Sequence, residues 1–385
     1  MTLKTVTSAI ELYFLLSSIL TFSPPNNTVH AAAFVGTTNR PAVVSLARWH
    51  PHQRHQLISE IGHGRGVPQW MQSVPVNEKS VEVTRTYNDA LEKNQQDIET
   101  TETFSISTRT FRPMSLSSRQ AAPILVLHGG PSVPSNYLYP LVDVVPYRSI
   151  VYYDQLGCGN SSEPQNVNAY SISAAVDDLE VVIKKIGLRR FHIYGQSFGG
   201  ILAFEYLKRV AERKDDTPFG EGCLSVILSS APTSVSVVEA SANRLVGILQ
   251  DQDDNEGTLG DRFRTTHQCR IEEMPSPLVD AYARAGTVWR GTAALQGYEA
   301  QPPLEGAARM PSAMILRGEY DFVDHECVED WKNKCFNHKS VREKVMEGCS
   351  HHGLLGKFYN MYDFESSQTR TIAYSIIFPR VNFFI

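Results

Sequence analysis

From Thr103 onward, short apolar runs alternate with longer amphipathic ones, and this alternation leaves the chain very few folds. APILVLHGG (122–130), RSIVYYDQLG (148–157), FHIYGQ (191–196) and CLSVILSSAP (223–232) are each apolar almost without interruption. A strand that is apolar on both faces must be covered on both, which is the condition of a parallel sheet wrapped in helices. Between these runs, SAAVDDLEVVIKKIG (173–187) and GGILAFEYLKRVAER (199–213) place apolar residues at helical spacing, and Gly187 offers a C-cap to the first. FSISTRTF (104–111) alternates polar and apolar residues like a half-buried strand. The expected fold class is α/β, a mostly parallel sheet with helices on both faces.

The alternation stops near Ser234. Residues 235–308 read as helical and charged, and SAMILRGEYD (312–321) then restores a buried strand. An inserted helical cap would sit over the carboxyl ends of the strands, where open α/β sheets place their sites. The expected organisation is a first core part over 101–234, a helical cap over 235–308 and a second core part over 309–385. Residues 34–100, which include RWHPHQRH (48–55) and EKNQQDIETTE (92–102), show no clear period and read as an extension packed loosely on the domain.

Composition excludes some classes of function. A net charge of −5 with no long basic block argues against a nucleic-acid partner. The six cysteines form no CxxC pair and no HExxH occurs, so no metal is expected. Nor do they suggest a disulfide framework, although Cys327 and Cys335 are close enough in sequence for a single bridge. At the N-terminus, Lys4, the apolar run LYFLLSSILTF (12–22) and the small residues Ala31, Ala32 and Ala33 read together as a secretory or targeting signal over residues 1–33. Secretion or the secretory pathway is the expected location. Glu11 at the edge of the run keeps a cytoplasmic alternative open, and the run is too short for a spanning helix.

The chemistry centres on GQSFGG (195–200), which fits G-x-S-x-G with a strand before it and a helix after it. In that context Ser197 is expected as a nucleophile lifted clear of the sheet; the alternative is a plain glycine turn. A serine hydroxyl is a weak nucleophile at neutral pH and needs a base. In the chain order serine, acid, histidine, the acid is expected at Asp321, with Glu319 and Asp324 as competitors. EKVMEGCSHHGLL (343–355) carries adjacent His351 and His352; only one of them can face Ser197, and His351 is expected. HGGP (128–131) ends a buried strand, so the backbone N–H groups of Gly130 and Phe198 are the expected oxyanion donors, with His128 structural. GCGNSS (157–162) lacks the third glycine of a dinucleotide loop, and no helix opens on it, so no nucleotide cofactor is expected.

HGGPS, YYDQLGCGNS, GQSFGG, RGEYD and CSHH follow one another in that order. Together they resemble the proline iminopeptidase branch of the α/β-hydrolases, peptidase family S33, which includes the tricorn-interacting aminopeptidase and fungal L-amino-acid amidases. The resemblance covers about residues 101–355. It implies an α/β-hydrolase fold, no metal or cofactor, and release of N-terminal residues, often proline, from short peptides or amides. It maps a triad onto Ser197, Asp321 and His351 and an oxyanion glycine onto Gly130. It also implies a cap acid that holds the substrate's α-amino group, and Glu299 in LQGYEA stands at that place; a solvated glutamate is the equal alternative. Glu205 is expected to face outward or support packing. Three departures stand out. Phe322 occupies a position where the family can carry a second acid, Ser132 replaces the last glycine of HGGPG, and a strongly apolar tail (371–385) follows where a long amphipathic helix is usual. The functions left open are an aminopeptidase of proline iminopeptidase type, an esterase or amidase acting on a small metabolite, which Phe322 favours, and a non-catalytic binding protein on a hydrolase scaffold.

Overall fold

The computed structural model describes residues 76–89, 98–113, 121–145, 148–213, 222–252, 257–304 and 306–356. The expected signal segment, most of the N-terminal extension and the apolar tail lie outside the described residues. Eight strands form one sheet: β1 (Val76–Asp89), β2 (Ile98–Phe111), β3 (Ile124–Leu127), β4 (Ile150–Tyr153), β5 (Arg190–Gln196), β6 (Gly222–Ser229), β7 (Ser312–Gly318) and β8 (Val341–Met346). Their order is β1-β2-β4-β3-β5-β6-β7-β8. The β1–β2 and β2–β4 pairs are antiparallel, and every pair from β4 to β8 is parallel. β3 and β4 are buried along their whole length, as their unbroken apolar sequences require.

Two long helices pack against this sheet. α1 (Ile172–Ile186) starts where the Ser171 side chain accepts the Ala174 N–H, and it stops at Gly187 in a left-handed conformation, φ 80°. α2 (Phe198–Glu212) buries most of its length, with Ile201, Leu202, Ala203 and Phe204 in the core beneath β5 and β6. Between β6 and β7 the chain leaves the sheet as α3 (Val235–Asp251), α4 (Leu259–Phe263) and α5 (Ser276–Ala283), followed by short helical turns. Beyond β7 comes one more short helix, α6 (His325–Asp330).

The sheet begins earlier than the sequence led us to expect. Residues 76–89 are not part of a loose extension: β1 pairs with β2 along its full length, from Val76 opposite Phe111 to Asp89 opposite Ile98. Its inward positions are Val81, Val83 and Arg85. Arg85 breaks the apolar pattern, but its guanidinium pairs with Asp178 on α1 and donates to the carbonyls of Ala169 and Ala174. The cation is buried because its charge and its donors are met there. Cys327 and Cys335 are both free thiols, so the bridge considered from their spacing is not formed.

Candidate active site

The strand order reverses between β3 and β5. β3 leads away to β4 on one side, and the chain returns to β5 on the other, leaving a crevice at the carboxyl ends of the two strands. Both glycine loops open there. GQSFGG passes from β5 into α2 with Ser197 at φ 54° and ψ −123°. A positive φ costs a non-glycine residue of order 1–3 kcal/mol, and the packing around the turn imposes it. A side-chain carbon at Gly195 would lie 2.4 Å from the Gly199 carbonyl oxygen, and one at Gly199 would lie 2.1 Å from that of Leu127. Only glycine at both places lets α2 start this close to the strand ends. The Ser197 amide donates to the Ser229 carbonyl on β6 (2.9 Å), which pins the turn to the sheet.

The HGG segment leaves β3 beside this turn. Gly130 has φ 120° and lines the same pocket as Ser197 and Phe198. The Gly130 amide meets no acceptor among the described residues, and the Phe198 amide is the first of α2, where the helix supplies none. His128 is wholly buried; its Nε2 accepts the Gln155 N–H (2.8 Å), and burial holds its pKa below the ordinary value. It is a structural residue, as expected. Ser132, in place of the usual glycine, keeps the left-handed conformation (φ 69°), and its hydroxyl donates to the Trp289 carbonyl (2.6 Å) in the segment after α5. That bond offsets the backbone strain and ties the loop to the cap.

Asp321 lies just past β7, 4% exposed, and His351 just past β8. His351 Nδ1 and Asp321 Oδ1 are 2.9 Å apart, and the same carboxylate oxygen accepts the Val323 N–H (2.9 Å). Phe322 stacks on the His351 ring, with centroids 4.3 Å apart, and fixes its plane. The competitors are engaged elsewhere. Asp324 caps α6 through the Cys327 N–H and pairs with Arg244 on α3, while Glu319 is exposed and accepts the Gly348 N–H. His352 turns away from Asp321: its Nε2 meets the Tyr282 hydroxyl (3.1 Å), and burial, followed by the charge of His351, holds its pKa well below the ordinary value. Ser197 and His351 line one pocket, although no hydrogen bond joins them among the described residues.

That pocket has a volume of about 120 Å³. Its walls are largely apolar and come from the core, including Ile201 and Val323, and from the cap, including Val238, Phe263 and Leu295. Glu299 is not among them, which favours the solvated alternative over the role that the resemblance implies. It is exposed, its backbone bridges to Ser234, and it borders a separate surface groove with Glu205, Lys208 and Tyr298. Glu205 accepts a hydrogen bond from the Tyr298 hydroxyl (3.0 Å) and supports packing there. Among the described residues no group of histidine, cysteine and acidic side chains is arranged to hold a metal.

The sequence did not disclose the polar residues that hold these loops. Asp154 closes β4 and is fully buried. It pairs with Arg109 of β2 (2.7 Å) and accepts from the Ser135 N–H and hydroxyl and the Asn160 N–H. A side-chain carbon at Gly159 would lie 2.5 Å from its Oδ2. Within the DQLGCGNS motif the Asp154 carboxylate thus accepts the Asn160 N–H, while its other donors come from Arg109 and Ser135 outside the motif. Its signal was visible as an aspartate ending the apolar run IVYY, with one arginine in the neighbouring strand.

The profile of the alpha/beta hydrolase fold family matches residues 122–290. The proline iminopeptidase of Lactobacillus delbrueckii subsp. bulgaricus is 42% identical over 132 residues, which is 33% of this chain and 42% of that protein. The proline iminopeptidase of Saccharolobus solfataricus is 30% identical over 180 residues, 42% of this chain and 55% of its own length. The chain thus spans only about half the length of these curated relatives. Among solved structures, the proline iminopeptidase of Mycobacterium smegmatis superposes with a TM-score of 0.54 at 19% identity, covering 76% of this chain and 98% of that one. Fold, sheet order and sequence similarity agree: the chain has the α/β-hydrolase fold, and a third or more of its length is similar in sequence to proline iminopeptidases.

Proposed function

We propose that this protein is a serine hydrolase of proline iminopeptidase type, releasing the N-terminal residue of a short peptide or amino-acid amide through an acyl-enzyme. The observation that carries the reading is the 2.9 Å contact of His351 Nδ1 with buried Asp321, in a histidine that shares its pocket with Ser197. Asp321 holds the proton on Nδ1, which leaves Nε2 as the base. Substrate binding brings Ser197 Oγ to Nε2; such contacts are commonly long before substrate arrives. Ser197 attacks the carbonyl carbon as Nε2 takes its proton. The oxyanion receives hydrogen bonds from the Gly130 and Phe198 amides, each such donor being worth about 10²–10³ in turnover. Collapse expels the amine, which leaves with the proton from His351. A water then repeats the sequence on the ester and regenerates Ser197.

Pocket size supports a small acyl group. At about 120 Å³ the cavity is somewhat smaller than the ~150 Å³ that admits a benzene ring, which suits one compact apolar side chain. The relatives named proline iminopeptidase support a free N-terminal amine. A second reading, an esterase or amidase on a small metabolite, is favoured by a different observation. The residues lining the pocket include no aspartate or glutamate to meet an ammonium group, and Phe322 stands over His351. Hydrolysis of proline β-naphthylamide, its N-acetyl form and a p-nitrophenyl ester by wild type and Ser197→Ala separates the two. Serine-dependent cleavage of the free amine alone supports the aminopeptidase. Cleavage that ignores the amine supports the second reading, and turnover by Ser197→Ala overturns both.

A further inference from the structure

The reacting groups sit on loops that the sheet alone does not bring into register. β3 neighbours β5, but β8 is three strands from β5, with β6 and β7 between them. Two side chains that nothing above assigns to the chemistry connect the three loops. Tyr137 Oη accepts the Gly129 N–H (2.7 Å) and donates to Gln196 Oε1 (2.6 Å). Gln196 Nε2 in turn donates to the His351 carbonyl (3.4 Å). The directions are set by chemistry. The His351 carbonyl can only accept, so Gln196 must turn its nitrogen toward it, which leaves Oε1 to accept the Tyr137 hydroxyl proton while Oη accepts the Gly129 N–H. Tyr137 is 2% and Gln196 3% exposed, so water does not substitute for either partner. Gly129 makes room for the bridge: a side-chain carbon there would lie 2.6 Å from Gln196 Oε1 and 3.0 Å from Tyr137 Oη. The Tyr137 ring also meets the His352 ring edge to face, with centroids 5.2 Å apart, one residue from His351.

We propose that Tyr137 and Gln196 are positioning residues that hold the Gly129–Gly130 loop and the His351 loop in register with Ser197. The role rests on Ser197 being the nucleophile. The Gly130 amide is one residue beyond the bonded Gly129 amide, and it is needed where charge develops only in the transition state. Loosening it removes an interaction that the ground state does not make, so kcat falls while KM holds. A displacement on the order of 1 Å at such a site costs about 10² in rate.

The test uses the full chain and the variants Tyr137→Phe, Gln196→Met and the double variant. A fluorophosphonate end-point titration counts competent sites, so that a misfolded fraction does not enter the rate. The expected result is a fall in kcat per competent site of about 10- to 100-fold, with KM within about twofold. A trifluoromethyl ketone, which forms the oxyanion, should lose affinity by a similar factor. The double variant should be about as impaired as the worse single one, because both break one bridge. If Tyr137→Phe fails to fold, Gln196→Met probes the same bridge from the elbow side. Per-site kcat within about twofold of wild type, or losses that multiply in the double variant, would overturn the proposal. Turnover retained in Ser197→Ala would identify the nucleophile reading as the part that failed.

Discussion

Replacing Asp154 by asparagine removes one charge from a buried pair and leaves its shape nearly unchanged. In the native protein the two carboxylate oxygens accept from Arg109 (2.7 and 3.4 Å), the Ser135 N–H (3.1 Å), the Ser135 hydroxyl (2.8 Å) and the Asn160 N–H (3.1 Å). Asparagine offers one acceptor oxygen and turns an NH₂ group toward donors. It also leaves the Arg109 guanidinium, whose side chain is 7% exposed, without a countercharge. Breaking one half of such a pair costs about 3–5 kcal/mol, a large part of a total stability of ~5–15 kcal/mol. With a urea slope of about 3 kcal/mol/M, fitting a chain of this size, the unfolding midpoint should drop by about 1–2 M. Adding Arg109→Met removes the stranded charge and should recover more than half of the loss. The pair also has a pH signature. Burial by itself raises the Asp154 pKa, but the charge and hydrogen bonds of Arg109 outweigh it and hold the carboxyl below its ordinary range. A depressed folded pKa means that this stabilisation is complete above the unfolded value, about 3.9, and is lost as pH falls through the folded one. Urea unfolding at neutral pH followed by tryptophan fluorescence reads the midpoint. An Asp154→Asn midpoint within about 0.2 M of wild type, or a double variant weaker than the single one, would refute the reasoning.

Other outcomes follow from the same geometry. Asp321→Asn should keep the fold but favour the wrong His351 tautomer, lowering kcat by about 10⁴ with KM little changed in a steady-state assay. Glu299→Gln should change kcat/KM for free-amine substrates by less than about twofold, because Glu299 is exposed and borders a different groove; a large selective loss would return it to the substrate site. Burial holds His128, His267 and His352 below the ordinary imidazole pKa and takes His192 to about 3. The unfolded chain binds these protons below pH ~6.5 and the folded chain does not, so stability should fall with acid by up to about 1.4 kcal/mol per histidine per pH unit. Equal urea midpoints at pH 7 and pH 5 would contradict that.

Much of this architecture was legible in the residues, because the physics behind it is local. Unbroken apolar runs have to lie inside a covered sheet, and Gly195 and Gly199 mark a turn that no side chain would fit. The order in which Ser197, Asp321 and His351 occur needs no knowledge of distance. What the sequence hid depends on pairs far apart in the chain. β1 was missed because its third inward residue is Arg85, whose partner Asp178 lies 93 residues away. Asp154 appeared as a motif letter rather than as the centre of five hydrogen bonds from three segments. Glu299 was placed by the resemblance of LQGYEA to a family motif, and a motif position does not say whether the carboxylate faces the pocket or, as here, solvent. The sequence already favoured His351 over His352, and the 2.9 Å contact to Asp321 and the Tyr282 hydroxyl on the other ring support that preference with contacts that no sequence spacing reveals.

The most direct test of the central claim is the site of covalent modification. A fluorophosphonate should add to wild type at one group per chain, and peptide mapping should place it on Ser197. Ser197→Ala should take up none, and His351→Ala should react slower by orders of magnitude because its serine has lost the base. Stoichiometric labelling of Ser197→Ala, or a label on another residue in the wild type, would contradict the account.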